Sequence, residues 1–370
     1  MLKTKNYEIE FLLTLIKCAI KSLPAPKPEK DINVNALFQL ANKQQVYSIV
    51  LPVLEQVGIL SDDELSKWNS YRLSELKKTI FVNSEREKIC SQLDEQGISY
   101  MFLKGLEIRG YYPKSSMRQM SDNDILYHEE NRDALVAIMK SNGYYLGAAA
   151  GISDDFYKKP FATFEFHRTL FSLEEDFHPD FDPWKNAARV ENSCRYKLSR
   201  EDNYIYTLCH LYKHYHCING CGIRFLCDLY LLTHSDDKLD YDYINGTLES
   251  FGIADFNKTA LGLAETLFEN GECNDAQQAL FDFMIEGSVY GIAKNKVQDA
   301  LDSNGGSKLK YLLHRIFPPV KQMIGNYKIL EKRKYLLPFY YIKRLFEKYY
   351  HNKDRLKNEI AELESANRNK

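Results

Sequence analysis

Glycine (18) and proline (11) are scarce in this 370-residue chain, which excludes a collagen-like repeat or a disordered low-complexity polymer. Long apolar runs are missing too: none approaches the roughly 18–20 residues that a membrane-spanning helix needs. The first apolar stretch, Phe11 to Ile20, follows Glu8 and Glu10 and is interrupted by Lys17, unlike a secretory signal. Its eight cysteines are therefore expected to be reduced, in a cytoplasmic protein. Excess charge is also lacking. With 49 basic and 51 acidic residues the formal net charge is −2, which argues against a chain-wide affinity for nucleic acid.

What is present is a folded composition, 44% hydrophobic and 13% aromatic, at a length that allows one to three cores. Residues 1–96 read as helical: an amphipathic Tyr7–Leu23 stopped by the Pro24, Pro26, Pro28 run, then Val34–Val46 and a long Asp62–Gln96 with a solvated face. Texture changes at Gly97. Ile98–Leu103, Asp122–Tyr127 and Phe161–His167 have strand composition, separated by helical patterns over Gly105–Tyr112 and Glu129–Asn142. Helices return from Ser199, a candidate N-cap, over 200–217, 221–233 and onward to Ala300. The expected architecture is α+β: a small mixed sheet over residues 97–197 between helical regions at 1–96 and 198–304, with a C-terminal arm at 305–370.

Charge is polarised along the chain. Between Lys308 and Lys357 there are 14 basic residues against Glu331, Glu347 and Asp354, a local charge of +11; with −1 on residues 358–370, residues 1–307 carry −12. Ten Phe and Tyr residues are interleaved in that arm. Such a mixture suits nucleic acid or an anionic membrane surface, but a packed helix with a basic face explains it better, because Pro318, Pro319 and Pro338 cut it into short pieces.

Asp122 and Asp124 sit at i and i+2 of a strand, so both carboxylates project from one face. Like charges that close repel unless a cation lies between them, and magnesium suits hard oxygen ligands with positions left for phosphates. Glu165 offers a third carboxylate, with Thr163 and His167 on its own face and Phe164 and Phe166 on the other. Carboxylates on adjacent strands are the ligand set of a metal-assisted nucleotidyl transfer.

In Phe102-Leu103-Lys104-Gly105-Leu106, Tyr111-Tyr112-Pro113, Arg118 and Asp122-Asn123-Asp124-Ile125-Leu126 the chain resembles an uncharacterised bacterial nucleotidyltransferase family of the DNA polymerase β superfamily. Glu165-Phe166-His167, Leu198–Asp202, His210, His214 and Arg224–Asp228 extend the likeness, as do the helices over 35–54. The resemblance implies a polymerase-β-like core with Asp122 and Asp124 as ligands of magnesium or manganese, and Glu165 as third ligand or as base. It also implies that Lys104, Gly105 and Arg118 meet the triphosphate of an NTP, whose nucleoside monophosphate passes to an unidentified hydroxyl of a small molecule or protein. Two departures stand out: Lys104-Gly105 replaces the superfamily's Gly-Ser or Gly-Gly turn, and polar Asn123 replaces an apolar residue between the aspartates. The rival expectation is a catalytically silent module that binds a nucleotide or a protein.

Cys209, His210, His214, His216, Cys217, Cys221 and Cys227 crowd together, yet no matching second ligand pair gives them a zinc-site spacing. Core cysteines and buried histidines are the expected reading. His210 and His214 share a helical face and, with Lys213 and His167, are second-rank candidates for contacting substrate.

Overall fold

The computed structural model describes residues 2–120, 122–147, 152–171, 181–218, 220–235, 238–287, 317, 320, 323, 327 and 329–351. Helix α1 (Tyr7–Ile20) starts at Asn6, whose side chain accepts from the Ile9 amide. It ends before the prolines: Ser22 turns left-handed (φ 54°) and the Leu23 amide reaches back to the Cys18 carbonyl at 2.8 Å. Gln45 (φ 53°) closes α2 (Val34–Lys43) in the same way, three residues short of the expected end. A helix the sequence reading did not separate, α3 (Tyr47–Val57), follows at once. It is apolar at most positions, burying Tyr47, Ile49, Val50, Leu51, Val53, Leu54 and Val57, and contains Pro52, a residue that reads as a helix breaker. The 34-residue α4 (Asp62–Glu95) opens with a reciprocal Ser61–Glu64 capping box and buries Trp68, Ile89 and Leu93.

The sheet has seven strands: β1 (Tyr100–Phe102), β2 (Asn123–Tyr127), β3 (Tyr145–Leu146), β4 (Ser153–Lys158), β5 (Ala162–His167), β6 (Ala188–Arg189) and β7 (Arg195–Lys197), in the order β3-β4-β5-β2-β1-β7-β6. Pairs β2–β5 and β1–β7 are parallel and the others antiparallel, so the sheet is mixed and the α+β class expected from sequence is the one observed. Strands β3, β4, β6 and β7 were not foreseen. They are short or carry polar residues such as Ser153, Asp154 and Asp155, whose hydrophobic alternation is weak. Helices α5 (Gly105–Ile108) and α6 (Arg132–Ser141) fall within the helical patterns read between the first three strands.

Apolar side chains on one sheet face, among them Tyr100, Ile125, Tyr127, Phe164 and Phe166, pack on α6 and the C-terminal half of α4. The opposite face carries Met101, Leu103 and Leu126 against Leu198 and Tyr206. The second helical region comprises α7 (Arg200–Lys213), a wide π-turn (His214–Ile218), α8 (Arg224–Thr233), α9 (Tyr241–Ser250), α10 (Ala254–Glu269) and α11 (Asp275–Glu286). One apolar cluster runs continuously from α1–α3 into α7–α11, so the two flanking helical regions share a core. Cys209, Cys221 and Cys227 lie inside it, as expected of core cysteines. Much of the basic arm lies outside the described residues. In the part described, Pro338 sits in the first turn of a 15-residue helix, α12 (Leu337–His351), where proline starts a helix instead of breaking one. No helix among the described residues is long and apolar enough to cross a membrane.

One buried ion pair ties the segment between α5 and β2 to the second helical region. Arg118 donates through Nε and Nη2 to the two carboxylate oxygens of Asp228 on α8 (2.9 and 2.8 Å), and the Tyr112 hydroxyl donates to the same carboxylate at 2.7 Å. Asp228→Ala strands a buried guanidinium and should lower the unfolding free energy by about 3–5 kcal/mol. Tyr112→Phe should cost only about 1 kcal/mol, and urea denaturation of both variants measures the difference.

Candidate active site

Strand alternation decides which side chains meet. On β2, Ile125 and Tyr127 enter the aromatic layer, which sends Asp124 and Leu126 to the opposite face. On β5, Phe164 and Phe166 do the same, leaving Thr163, Glu165 and His167 across from them. Parallel pairing then sets Asp124 beside Glu165 and Leu126 beside His167. One ligand atom from each of Asp124, Glu165 and His167 lies within 4.8 Å of the others. Asp122 precedes the strand instead of lying on it, and it lines the same cleft. A fourth carboxylate, missed in the sequence, comes from β4, where Asp155 pairs with Glu165 from the other side.

The cleft has a volume of about 200 Å³. Lys104, Gly105, Arg118, Asp122, Asp124, Glu165, His210 and His214 all contribute to its wall, so most of the residues singled out in the sequence converge there. Lys213 does not line it, and His167 lies behind the wall, 6% exposed, against Asp124. Arg224 and Phe225 of α8 complete the far side. These two were quoted only as part of a likeness, because an arginine in a helix carries no spacing signal of its own.

Lys104 occupies a left-handed turn between β1 and α5 (φ 49°, ψ −123°), a conformation that favours glycine and costs a side-chain-bearing residue about 1–3 kcal/mol. This backbone sends its ammonium to Asp124 Oδ1 at 2.6 Å. Gly105 leaves the room that Arg118 takes: a Cβ there would stand 2.3 Å from Arg118 Nη1. The Arg118 guanidinium thus has a fold role through Asp228 and also borders the cleft.

Burial works against every charge here, and the partners decide the outcome. Asp124 is desolvated, yet Lys104 and the His167 hydrogen bond (2.9 Å) hold its carboxyl well below the usual range. Burial would also lower the Lys104 ammonium, but Asp124 outweighs it and keeps the charge. At Glu165 the pull of Lys104 is outweighed. Burial first, then the charges of Asp124 and Asp122, push its carboxyl up to about 8. Burial lowers His167, so at neutral pH the ring is uncharged and donates Nε2–H to Asp124. Its Nδ1 is buried without a hydrogen-bond partner among the described residues. His210 is held well below its ordinary value by burial and by Lys104. The His214 Nδ1–H donates to the Gly220 carbonyl at 2.8 Å, which fixes the ring with Nε2 as its other edge.

Asn123, the polar departure inside the strand, is only 1% exposed and fully satisfied: its amide donates to the Thr163 carbonyl at 3.0 Å and its oxygen accepts from Arg86 Nη1 at 3.1 Å. A polar residue in an apolar strand signals a missing partner, but nothing in the sequence pointed to Arg86 on α4.

The Glu165 carboxyl has a consequence for stability. With a folded pKa of about 8 against an unfolded one near 4.3, the folded state holds a proton that the unfolded state gives up, so stability declines as pH rises from about 4.5 through 8. Without divalent cations, the melting temperature of wild type should fall over this window more steeply than that of Glu165→Gln, which has no proton to lose. Parallel profiles would count against the carboxylate crowding.

The sequence profile of a family described as an uncharacterised nucleotidyltransferase matches residues 30–269. Among curated proteins none matches the chain. Two solved structures are similar to it. One is the solution structure of the antibiotic-resistance factor ANT(2'')-Ia, at 13% identity and a TM-score of 0.34, covering 52% of this chain and 100% of that one. The other is the crystal structure of ANT(2'')-Ia in complex with adenylyl-2''-tobramycin, at 15% identity and a TM-score of 0.34, covering 46% and 95% respectively. With the family profile spanning well over half of its length, the chain belongs to the uncharacterised nucleotidyltransferases and is an enzyme of that kind.

Proposed function

We propose that the protein moves a nucleoside monophosphate from an NTP to a hydroxyl group of a small-molecule or protein acceptor, on a core of the bacterial polymerase-β type, with magnesium or manganese as cofactor. The observation that carries this reading is the approach of Asp124 and Glu165 within 4.8 Å, in a cleft that Asp122 and Lys104 also line. The donor set fits a hard divalent cation, because carboxylate oxygens dominate it and Lys104, which pairs with Asp124, offsets the Glu165 charge only in part. Asp122, Asp124 and Glu165 would hold the cation, which when bound supplies Lewis acidity and neutralises phosphate charge in an acidic cleft. His167 orients the Asp124 carboxylate: ligation through Nε2 would move its proton to Nδ1, where nothing among the described residues accepts it.

In this reading the acceptor hydroxyl oxygen attacks the α-phosphorus, the bond to the pyrophosphate oxygen breaks, and the hydroxyl proton passes to Glu165, whose carboxyl, pushed up to about 8 without a cation, would be ionised once a bound cation offsets the neighbouring carboxylates. Lys104 and Gly105, with the cleft side of Arg118, face the triphosphate. The neutral His210 on α7, able to take a hydrogen bond without adding positive charge, and His214 on the following turn stand where an acceptor enters.

The silent-module reading draws on one observation, that the Lys104 ammonium already neutralises Asp124. Transfer decides between the two. Incubated with labelled NTP, Mg²⁺ and cell extract, wild type should label an acceptor, and Asp124→Asn should lower the rate by at least about 100-fold while the protein stays folded. Equal labelling by wild type and Asp124→Asn would remove the carboxylate from the chemistry.

A further inference from the structure

We infer that Arg86 and Arg109 form a second anion site beside the catalytic cleft, which holds a phosphoryl group carried by the acceptor; the inference rests on nucleotidyl transfer as the reaction. The two guanidiniums meet at one neutral atom: Asn83 Oδ1 accepts from Arg86 Nη2 at 2.8 Å and from Arg109 Nη1 at 3.4 Å. The other hydrogen-bond acceptor of Arg86 among the described residues is again an amide oxygen, that of Asn123, while the guanidinium lies over the Phe102 ring. Among the described residues no ion pair joins either guanidinium to a carboxylate, whereas the neighbouring Arg118 is neutralised by Asp228. Amide oxygens fix the direction of a guanidinium without cancelling its charge, so two cations stand side by side, half-buried and mutually repelling. Burial and each other's proximity lower the Arg86 guanidinium, and burial with Arg118 lowers that of Arg109. An anion between them relieves that repulsion and uses donors that the protein's own groups leave open.

The surroundings suit a phosphoryl group. Arg86 and Arg109 line a pocket of about 40 Å³ together with Lys78 and the hydroxyl-bearing Ser115 and Ser116. Glu75 and Asp122 are its acidic members. The pocket shares Arg118, Gln119, Met120 and Asp122 with the cleft, so an occupant lies next to the site of chemistry. Of the residues proposed for the triphosphate, Lys104 and Gly105 wall the cleft and not this pocket and Arg118 borders both, which points to the acceptor as the source of the anion. Asn123 gains a function from this arrangement: the polar departure between the two aspartates is what holds Arg86 in place.

Calorimetric titration of inorganic phosphate into metal-free protein with EDTA tests the site without NTP or cation. Wild type should bind phosphate, and the double variant Arg86→Gln/Arg109→Gln should bind it at least about tenfold more weakly, with Mg–NTP affinity unchanged. Undetectable phosphate binding by wild type, or equal binding by both proteins, overturns the site. A parallel loss of Mg–NTP affinity gives the pocket to the nucleotide and overturns its assignment to the acceptor. If wild type binds none of the four Mg–NTPs, the transfer reading falls and the acceptor assignment with it, while the phosphate titration still decides the anion site. Should the double variant not fold, Arg109→Gln alone serves: its melting temperature in phosphate-free buffer should rise above that of wild type, and added phosphate should raise it less. A variant that melts lower and responds equally to phosphate contradicts the proposal.

Discussion

Carboxylate repulsion on one sheet face is the constraint around which this molecule is arranged. The β2–β5 register sets Asp124 against Glu165, strand pairing adds Asp155 from β4, and Asp122 closes in from the loop before β2. Desolvated like charges this close cannot all ionise without a counter-charge. The protein answers part of the problem with Lys104 and leaves the rest at Glu165, whose carboxyl is pushed up to about 8. That imbalance is what the proposed cation would relieve.

The fold holds these groups in place from several directions. An aromatic layer of Tyr127, Phe164 and Phe166 fixes the sheet from below, so the register cannot slip without turning the acidic face inward. From above, α7 and α8 bring His210, His214 and Arg224, and the contacts of Tyr112 and Arg118 with Asp228 lock the Tyr112–Arg118 segment against α8. Because α1–α3 and α7–α11 share one apolar core, the second wall of the cleft is anchored by helices from both ends of the described chain. Cations on the two sides of the Met120–Asn123 segment differ in kind. Arg118 and Lys104 are paired with aspartates, whereas Arg86 and Arg109 rest on amide oxygens and keep their charge available.

Much of this was legible in the sequence because it depends on period-two alternation. Phe164 and Phe166 announced which face Glu165 would take, and the Asp122-x-Asp124 spacing placed its partner. The start of α7, with Ser199 as its capping residue, was equally readable. What escaped was set by long-range pairing. Strands β6 and β7 are two and three residues long and owe their existence to the edge of β1, not to composition. Helix ends at Ser22 and Gln45 rely on left-handed residues that are not glycine, and the sequence instead offered prolines and a continuing apolar pattern. Arg118 read as a phosphate ligand because the buried Asp228 lies 110 residues away. Asn123 signalled only that some partner was required, and α4 supplied it.

The central claim is that Asp122, Asp124 and Glu165 together hold a divalent cation in this cleft. A crystal structure with Mn²⁺ and a non-hydrolysable NTP analogue, phased for anomalous scattering at the manganese edge, tests it most directly. The account predicts an anomalous peak coordinated by Asp124 and Glu165, with the Lys104 ammonium moved from Asp124 toward the triphosphate. A cleft without that peak, in which Lys104 still spans to Asp124 beside bound nucleotide, would contradict it.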